Sequence, residues 1–255
     1  MKVLFIVTVV LLVSAKSYAD CGLGRMDFWP NGKTIYENSL IVIDGYSLSQ
    51  KIILQLNLKY PVYLKSGDEK VELTVEEIII GEGSLTQAIL KPVKELIPGR
   101  EYHIYIDNIP ENQSPETKNW NSITGKYEYP NWKVIKGRDI SKPKWVSKPK
   151  ELKKTFIAFG CGPEAYVYFS FQASDQSEIL IKTSVTSLAS NKTTISYLKP
   201  EENGVLKVGR GMCGGAFNFN EGDNFEVKFD IMDSSGNITR WTENKIAFTK
   251  PIESH

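Results

Sequence analysis

The stretch Leu96-Ile97-Pro98-Gly99-Arg100-Glu101-Tyr102, followed by the alternating His103-Ile104-Tyr105-Ile106, constrains this chain more than any other. Pro98-Gly99 turns the backbone, and Tyr102 opens a strand. A tyrosine so placed can fold its hydroxyl back onto upstream backbone and pin a crossover between two packed sheets. Pro98, Gly99 and Tyr102 are therefore read as a structural corner.

The rest of the chain is punctuated in the same way. Leu40-Ile41-Val42-Ile43 stops at Asp44-Gly45, and Ser66-Gly67-Asp68 joins the runs Pro61–Lys65 and Val71–Ile80. Lys51–Leu58 and Gln87–Pro92 read as further strands. In the second half, Ala165–Phe171, Glu178–Thr186, Thr193–Leu198, Gly204–Val208 and Phe225–Ile231 follow, with Asp233-Ser234-Ser235-Gly236-Asn237 turning into Ile238. Short Val/Ile/Tyr-rich runs between Gly, Pro, Asn and Asp clusters are the all-β pattern. Phe225 takes the place in the second half that Tyr102 holds in the first, so that corner relies on packing alone.

Residues 1–19 have a basic start, an apolar run over Val3–Val13 and small residues at Ser17-Tyr18-Ala19, the layout of a secretory signal peptide. The apolar run is short for a membrane span, and no later stretch reads as a transmembrane segment. Asp20 directly before Cys21 departs from the usual lipobox. Cleavage after Ala19 leaves 236 residues with 29 basic and 30 acidic side chains. A near-neutral chain lacks the basic footprint of a nucleic-acid binder. Of the three cysteines, Cys161 and Cys213 both fall in the second half and are expected to pair, leaving Cys21 free or held by an external partner.

Residues 110–150 read as an ordered connector between two domains, 20–109 and 151–252. Pro110, Pro115, Pro130, Pro143 and Pro149 interrupt regular structure there. Trp120, Tyr127, Tyr129, Trp132 and Trp145 stand among them, too many aromatics for a flexible linker. With Lys133 and Arg138 beside them, they are the candidate binding residues, suited to stacking on sugars or forming an interface. The bland reading is that they fill the groove between the domains.

Catalytic signatures are missing. The histidines are His103, on an outward strand position, and His255 at the end. There is no Gly-x-Ser-x-Gly elbow, HExxH or Walker loop. Gly209–Gly215 lacks the Lys-Ser/Thr of a phosphate loop and reads as a tight loop at the disulfide. The Asp233 hairpin and Asn218-Asn220-Asp223 carry oxygen ligands without EF-hand spacing and read as turns. Glu76, Glu77, Glu101, Asp107, Glu221 and Asp223 leave room for a two-carboxylate hydrolase. No catalytic residue, cofactor or metal is expected.

The Leu-x-Pro-Gly-x-x-Tyr arrangement resembles the tyrosine corner of immunoglobulin-like and fibronectin-type-III-like domains. The Pro30-Asn31-Gly32 turn leading to Ile41-Val42-Ile43 resembles the opening of bacterial Ig-like domains of the SbsA and CopC-like kind. The resemblance implies two immunoglobulin-like β-sandwich domains in an exported bacterial protein, periplasmic or at the cell surface. It implies a non-enzymatic binding or structural module contacting an envelope protein or glycan. The alternative is a carbohydrate-active protein. Histidines of the copper-binding members have no counterpart near Asp20-Cys21, so metal binding does not carry over.

Overall fold

A computed structural model describes residues 24–253 except 122–124, 161 and 202. The signal-peptide segment, Cys21 and Cys161 lie outside the described residues, and with Cys161 the expected Cys161–Cys213 pairing. The chain is almost entirely β. The first half holds β1 (Arg25–Trp29), β2 (Thr34–Tyr36), β3 (Ile41–Tyr46), a short helix α1 (Gln50–Ile53), β4 (Val62–Ser66), β5 (Glu69–Ile80), β6 (Leu85–Pro92) and β7 (Glu101–Ile106). A small hairpin of β8 (Asn119–Asn121) and β9 (Lys126–Glu128) precedes β10 (Asn131–Ile135). The second half has β11 (Lys144–Phe159), β12 (Gly162–Ser174), β13 (Ile179–Ser187), β14 (Thr193–Leu198), β15 (Val205–Arg210), β16 (Asn224–Asp233), β17 (Ile238–Thr239) and β18 (Ile246–Thr249).

Strands β1–β7 and β10 pair in the order β1-β3-β6-β5-β4-β7-β10-β2. The long β5 serves two leaves: Leu73–Ile80 pair with β6, whereas Glu69–Glu72 pair with β4. A bulge between Val75 and Glu77 breaks the β6 ladder near the changeover, as bulges do where strands bend. One core lies between the leaves. Met26, Phe28, Ile41, Ile43, Ala88 and Leu90 come from one side, and Leu64, Val71, Tyr102, Ile104 and Trp132 from the other. At the corner Gly99 has φ +82°, a conformation glycine adopts without Cβ strain. Tyr102 is fully buried; its hydroxyl accepts from Ile97 N–H at 3.3 Å and donates to Glu69 Oε2 at 2.7 Å.

Two differences from the sequence reading have physical causes. Lys51–Leu58 is not a strand, because Ile52, Ile53 and Leu56 enter the core on helical and turn spacing, with α1 lying against β3 and β6. The segment 110–150 is not a separate joint either. Asn131–Ile135 completes the first sheet, antiparallel to β7 and parallel to β2, while the second half's edge strand begins at Lys144.

In the second half, the sheet β11-β12-β15 packs on β14-β13-β16-β17, with β18 also on β16. Val167, Phe169, Phe171, Leu206 and Val208 meet Ile181, Val227, Phe229 and Ile231 across that core. Phe225 packs against rings, 5.3 Å from Phe219 and 5.6 Å from Phe248.

A third core joins the halves. Trp29, Leu40, Val42, Ile79 and Ile89 from the first half meet Leu180, Tyr197 and Met232 from the second. Strand alternation makes this possible. Ile41 and Ile43 face the first core while Val42, between them, faces the second half. A sheet covered on both sides reads as an unbroken apolar run, and Leu40-Ile41-Val42-Ile43 is one.

Candidate functional site

Where the two halves part, they leave a cleft of about 630 Å³, within the roughly 300–1,000 Å³ of small-ligand sites. One wall is built across β1, β3 and β6. On β1, Met26 and Phe28 turn into the core, so Arg25 and Asp27 face outward. Antiparallel register then sets Arg25 opposite Tyr46, and Asp27 opposite Asp44, which in turn stands opposite Gln87. The Arg25 guanidinium lies 4.5 Å from the Tyr46 ring centre and 3.0 Å from Asp27 Oδ2.

Gln87, 1 % exposed, is the polar hinge of the wall. Its Nε2 donates to Asp44 Oδ1 and to the Tyr197 carbonyl, both at 2.8 Å. Its Oε1 accepts from Ser196 Oγ at 2.6 Å and from Tyr197 N–H at 2.8 Å. β14 is an edge strand, so the side chain of Gln87 stands in for the neighbour that Tyr197 would otherwise lack. Burial pushes the Asp44 carboxyl up to about 7; the Gln87 hydrogen bond opposes the shift, and the Asp27 charge adds to it. Asp44 thus holds its proton to a higher pH than an ordinary carboxylate. Burial and the charge of Asp44 likewise push the Tyr46 hydroxyl up.

The opposite wall is Tyr166, Tyr197, Lys199 and Lys207, closed at one end by Gly209 and Gly214–Ala216. Lys207 is paired with Glu201, whereas Lys199 is exposed and has no ion pair among the described residues. The glycine-rich loop stitches the halves together. Gly83 N–H donates to Gly215 O at 3.1 Å, Gly215 N–H to Gly83 O at 2.7 Å, and Glu82 N–H to Ala216 O at 3.0 Å. A Cβ on Gly209 would sit 2.0 Å from Ala165 O, and one on Gly83 2.8 Å from Gly215 O. The glycines are there for backbone approach. Cys213 sits exposed in this loop.

The residues singled out from the sequence are scattered. Trp132 is 2 % exposed and donates through Nε1 to Pro30 O at 2.8 Å. It fills the first core and cannot touch a partner. Trp145 packs edge-on against Phe171 and Trp241 at 5.4 and 6.2 Å, and its buried Nε1 has no partner among the described residues. Tyr129 ends a row in which Tyr63 stacks on Tyr105 at 5.7 Å and Tyr105 meets Tyr129 at 4.6 Å. Lys70 and Lys118 sit over its two end rings. Those ring faces are spent on one another, so the row is no sugar platform. Tyr127 is 59 % exposed on the small hairpin. Arg138 pairs with Glu95 at 3.1 Å, and Lys133 is exposed on β10. The side chain of Trp120 lies outside what the structure describes.

Asp233 belongs to a second polar cluster. Ligand oxygens of Asp139, Asp175 and Asp233 lie within 4.8 Å of one another, with Asp139 and Asp233 buried. Burial raises Asp233 to about 6 and raises Asp175 as well. The cluster is internally bonded: Asp233 accepts from Ser235 N–H and Asn237 N–H, and Asp139 from Gln176 and Ser177. It ties the 136–143 segment to two turns of the second half.

No protein family and no curated protein matches the chain. Among solved structures it is similar to pullulanase type I from Bacillus subtilis strain 168 complexed with maltose. That match has 12% identity over 84% of this chain and 23% of that one, at a TM-score of 0.23. The Yersinia pseudotuberculosis adhesin InvE matches with 11% identity over 89% and 58%, at 0.22. The S-layer protein rSbsC matches with 9% identity over 85% and 33%, at 0.25. The chain spans about a quarter of the length of the pullulanase chains. Likeness at this level assigns neither a family nor an activity. Among the described residues no helix is long and apolar enough to cross a membrane.

Proposed function

We propose that this is an exported, non-enzymatic binding module of the bacterial cell envelope, built from two Ig-like β-sandwiches, whose ligand site is the cleft between them. The observation that carries the reading is the cleft itself. Its walls come from both halves, it combines tyrosines with charged groups, and a buried amide and a glycine loop hold its shape. The aromatics of the 110–150 segment support it less, since Trp132 and Trp145 serve packing.

Binding is tested by following Trp29, which lines the cleft, by fluorescence during titration with envelope polysaccharide fragments and envelope proteins of the host. The response is expected to disappear in Tyr166→Ala and Lys199→Ala and to survive Tyr127→Ala. A response that survives both cleft variants would move the site elsewhere.

Carbohydrate hydrolysis is the second reading, favoured by Asp27 and Asp44 standing side by side with the Asp44 carboxyl pushed up by burial. Against it, the two are cross-strand neighbours on one wall, whereas hydrolytic pairs flank the scissile bond. Reducing-end release from polysaccharide, abolished in Asp44→Asn, would establish it.

A further inference from the structure

We infer that the cleft selects carbohydrates that carry a carboxylate, with Lys199 as the residue that meets the acid group. The inference rests on the cleft being the binding site and specifies what it takes.

Charge bookkeeping around the cleft leaves one cation over. Arg25 is engaged by Asp27 and the Tyr46 ring, and Lys207 by Glu201. Lys199 is exposed, acts on Asp44 through its charge and is the lining cation with no ion pair among the described residues. Burial pushes the Asp44 carboxyl above the usual carboxylate range, which weakens its repulsion of an anion. A neutral carboxyl also donates a hydrogen bond, which an ionised one cannot.

The rest of the lining suits sugar hydroxyls and ring faces. Tyr46 and Tyr166 bring phenol hydroxyls, and Asn31 adds an amide. The Tyr46 ring already carries Arg25, so Tyr166 is the tyrosine of this pair that can give a sugar an apolar face with a polar tip. Charged and polar groups on both walls do not suit an acyl chain.

Phosphate fits less well. Phosphate cradles are made of unspent backbone N–H groups or a helix N-terminus. Here the N–H groups of Gly83, Gly211 and Gly215 are all consumed, by Gly215 O, Gly214 O and Gly83 O. The one forked cation, Arg25, is occupied. A single ammonium matches a singly charged carboxylate.

The experiment is calorimetric titration of the mature chain with a panel of uronic-acid tetrasaccharides, their carboxyl-reduced neutral counterparts, citrate and AMP. The acidic tetrasaccharide is expected to bind at least about tenfold more tightly than its reduced form, the ratio of one charge-assisted hydrogen bond. The preference should shrink with added salt, vanish in Lys199→Ala and persist in Lys199→Arg. Equal binding of the neutral form, lost in Tyr166→Ala, would overturn the carboxylate assignment and leave the cleft reading standing. Preferred binding of citrate or AMP would overturn the sugar. Binding indifferent to every cleft variant, or heat from none of the ligands, would overturn both.

Discussion

Replacing Gln87 tests whether one side chain holds the halves in register. In Gln87→Leu the N–H and C=O of Tyr197 and the Ser196 hydroxyl lose their partner together. Ser196 and Tyr197 are buried, at 0 % and 4 % exposure, so water does not readily replace the amide. An orphaned buried polar group costs about 1–3 kcal/mol. Three such groups, less the gain from burying a leucine, give a loss of about 3–5 kcal/mol. For a chain of this size that lowers the melting temperature by about 6–20 °C. Urea denaturation followed by tryptophan fluorescence and far-UV circular dichroism reads the change. Gln87→Glu is the internal control. It keeps both acceptor bonds, loses both donor bonds and puts a charge beside Asp44, so its penalty should be larger at pH 8 than at pH 5. A Gln87→Leu protein within about 1 kcal/mol of the parent would refute the reasoning, because the groups would then have found other partners.

Asp44, at about 7, and Asp233, at about 6, hold their protons to higher pH folded than unfolded. The folded state therefore binds more protons between about pH 4 and 7, so stability falls as pH rises across that window. The urea midpoint should drop from pH 5 to pH 8, and Asp44→Asn should flatten that slope. Tyr102→Phe removes the hydroxyl that bonds Ile97 and Glu69 and should cost about 1–2 kcal/mol by denaturation, with ring packing kept. Trp132→Ala should cost about 3–5 kcal/mol as a core cavity without altering ligand affinity per folded molecule; a selective loss of binding would return Trp132 to the site. Non-reducing peptide mapping should recover Cys161 linked to Cys213, and a Cys21-containing bridge would overturn that pairing.

Much of the architecture was legible because local chemistry encodes it. Pro98-Gly99 and Tyr102 mark a corner whatever surrounds them, and Val167, Phe169 and Phe171 show alternation on one face. Lys51–Leu58 misled because apolar residues in a short window fit a strand as well as a turn of helix, and only the packing of Ile52 and Ile53 chose between them. Tryptophans in a proline-rich segment looked like contacts because composition cannot say which side of a strand faces solvent. Trp132 lies on the inner side of β10 only because β7 and β2 flank it.

The cleft belongs to the tertiary structure alone. Arg25, Asp44, Gln87, Tyr166 and Lys199 are spread over most of the chain and share no local signal. The nearest trace was Leu40-Ile41-Val42-Ile43, whose lack of alternation marks a sheet covered on both faces. By itself the sequence determined strands, turns and the corner, since these depend on neighbours within a few residues. Which strand faces fuse, which carboxyl is driven to hold its proton and which lysine is left without an ion pair depend on the docking of two distant halves, and these were decided only when the chain folded.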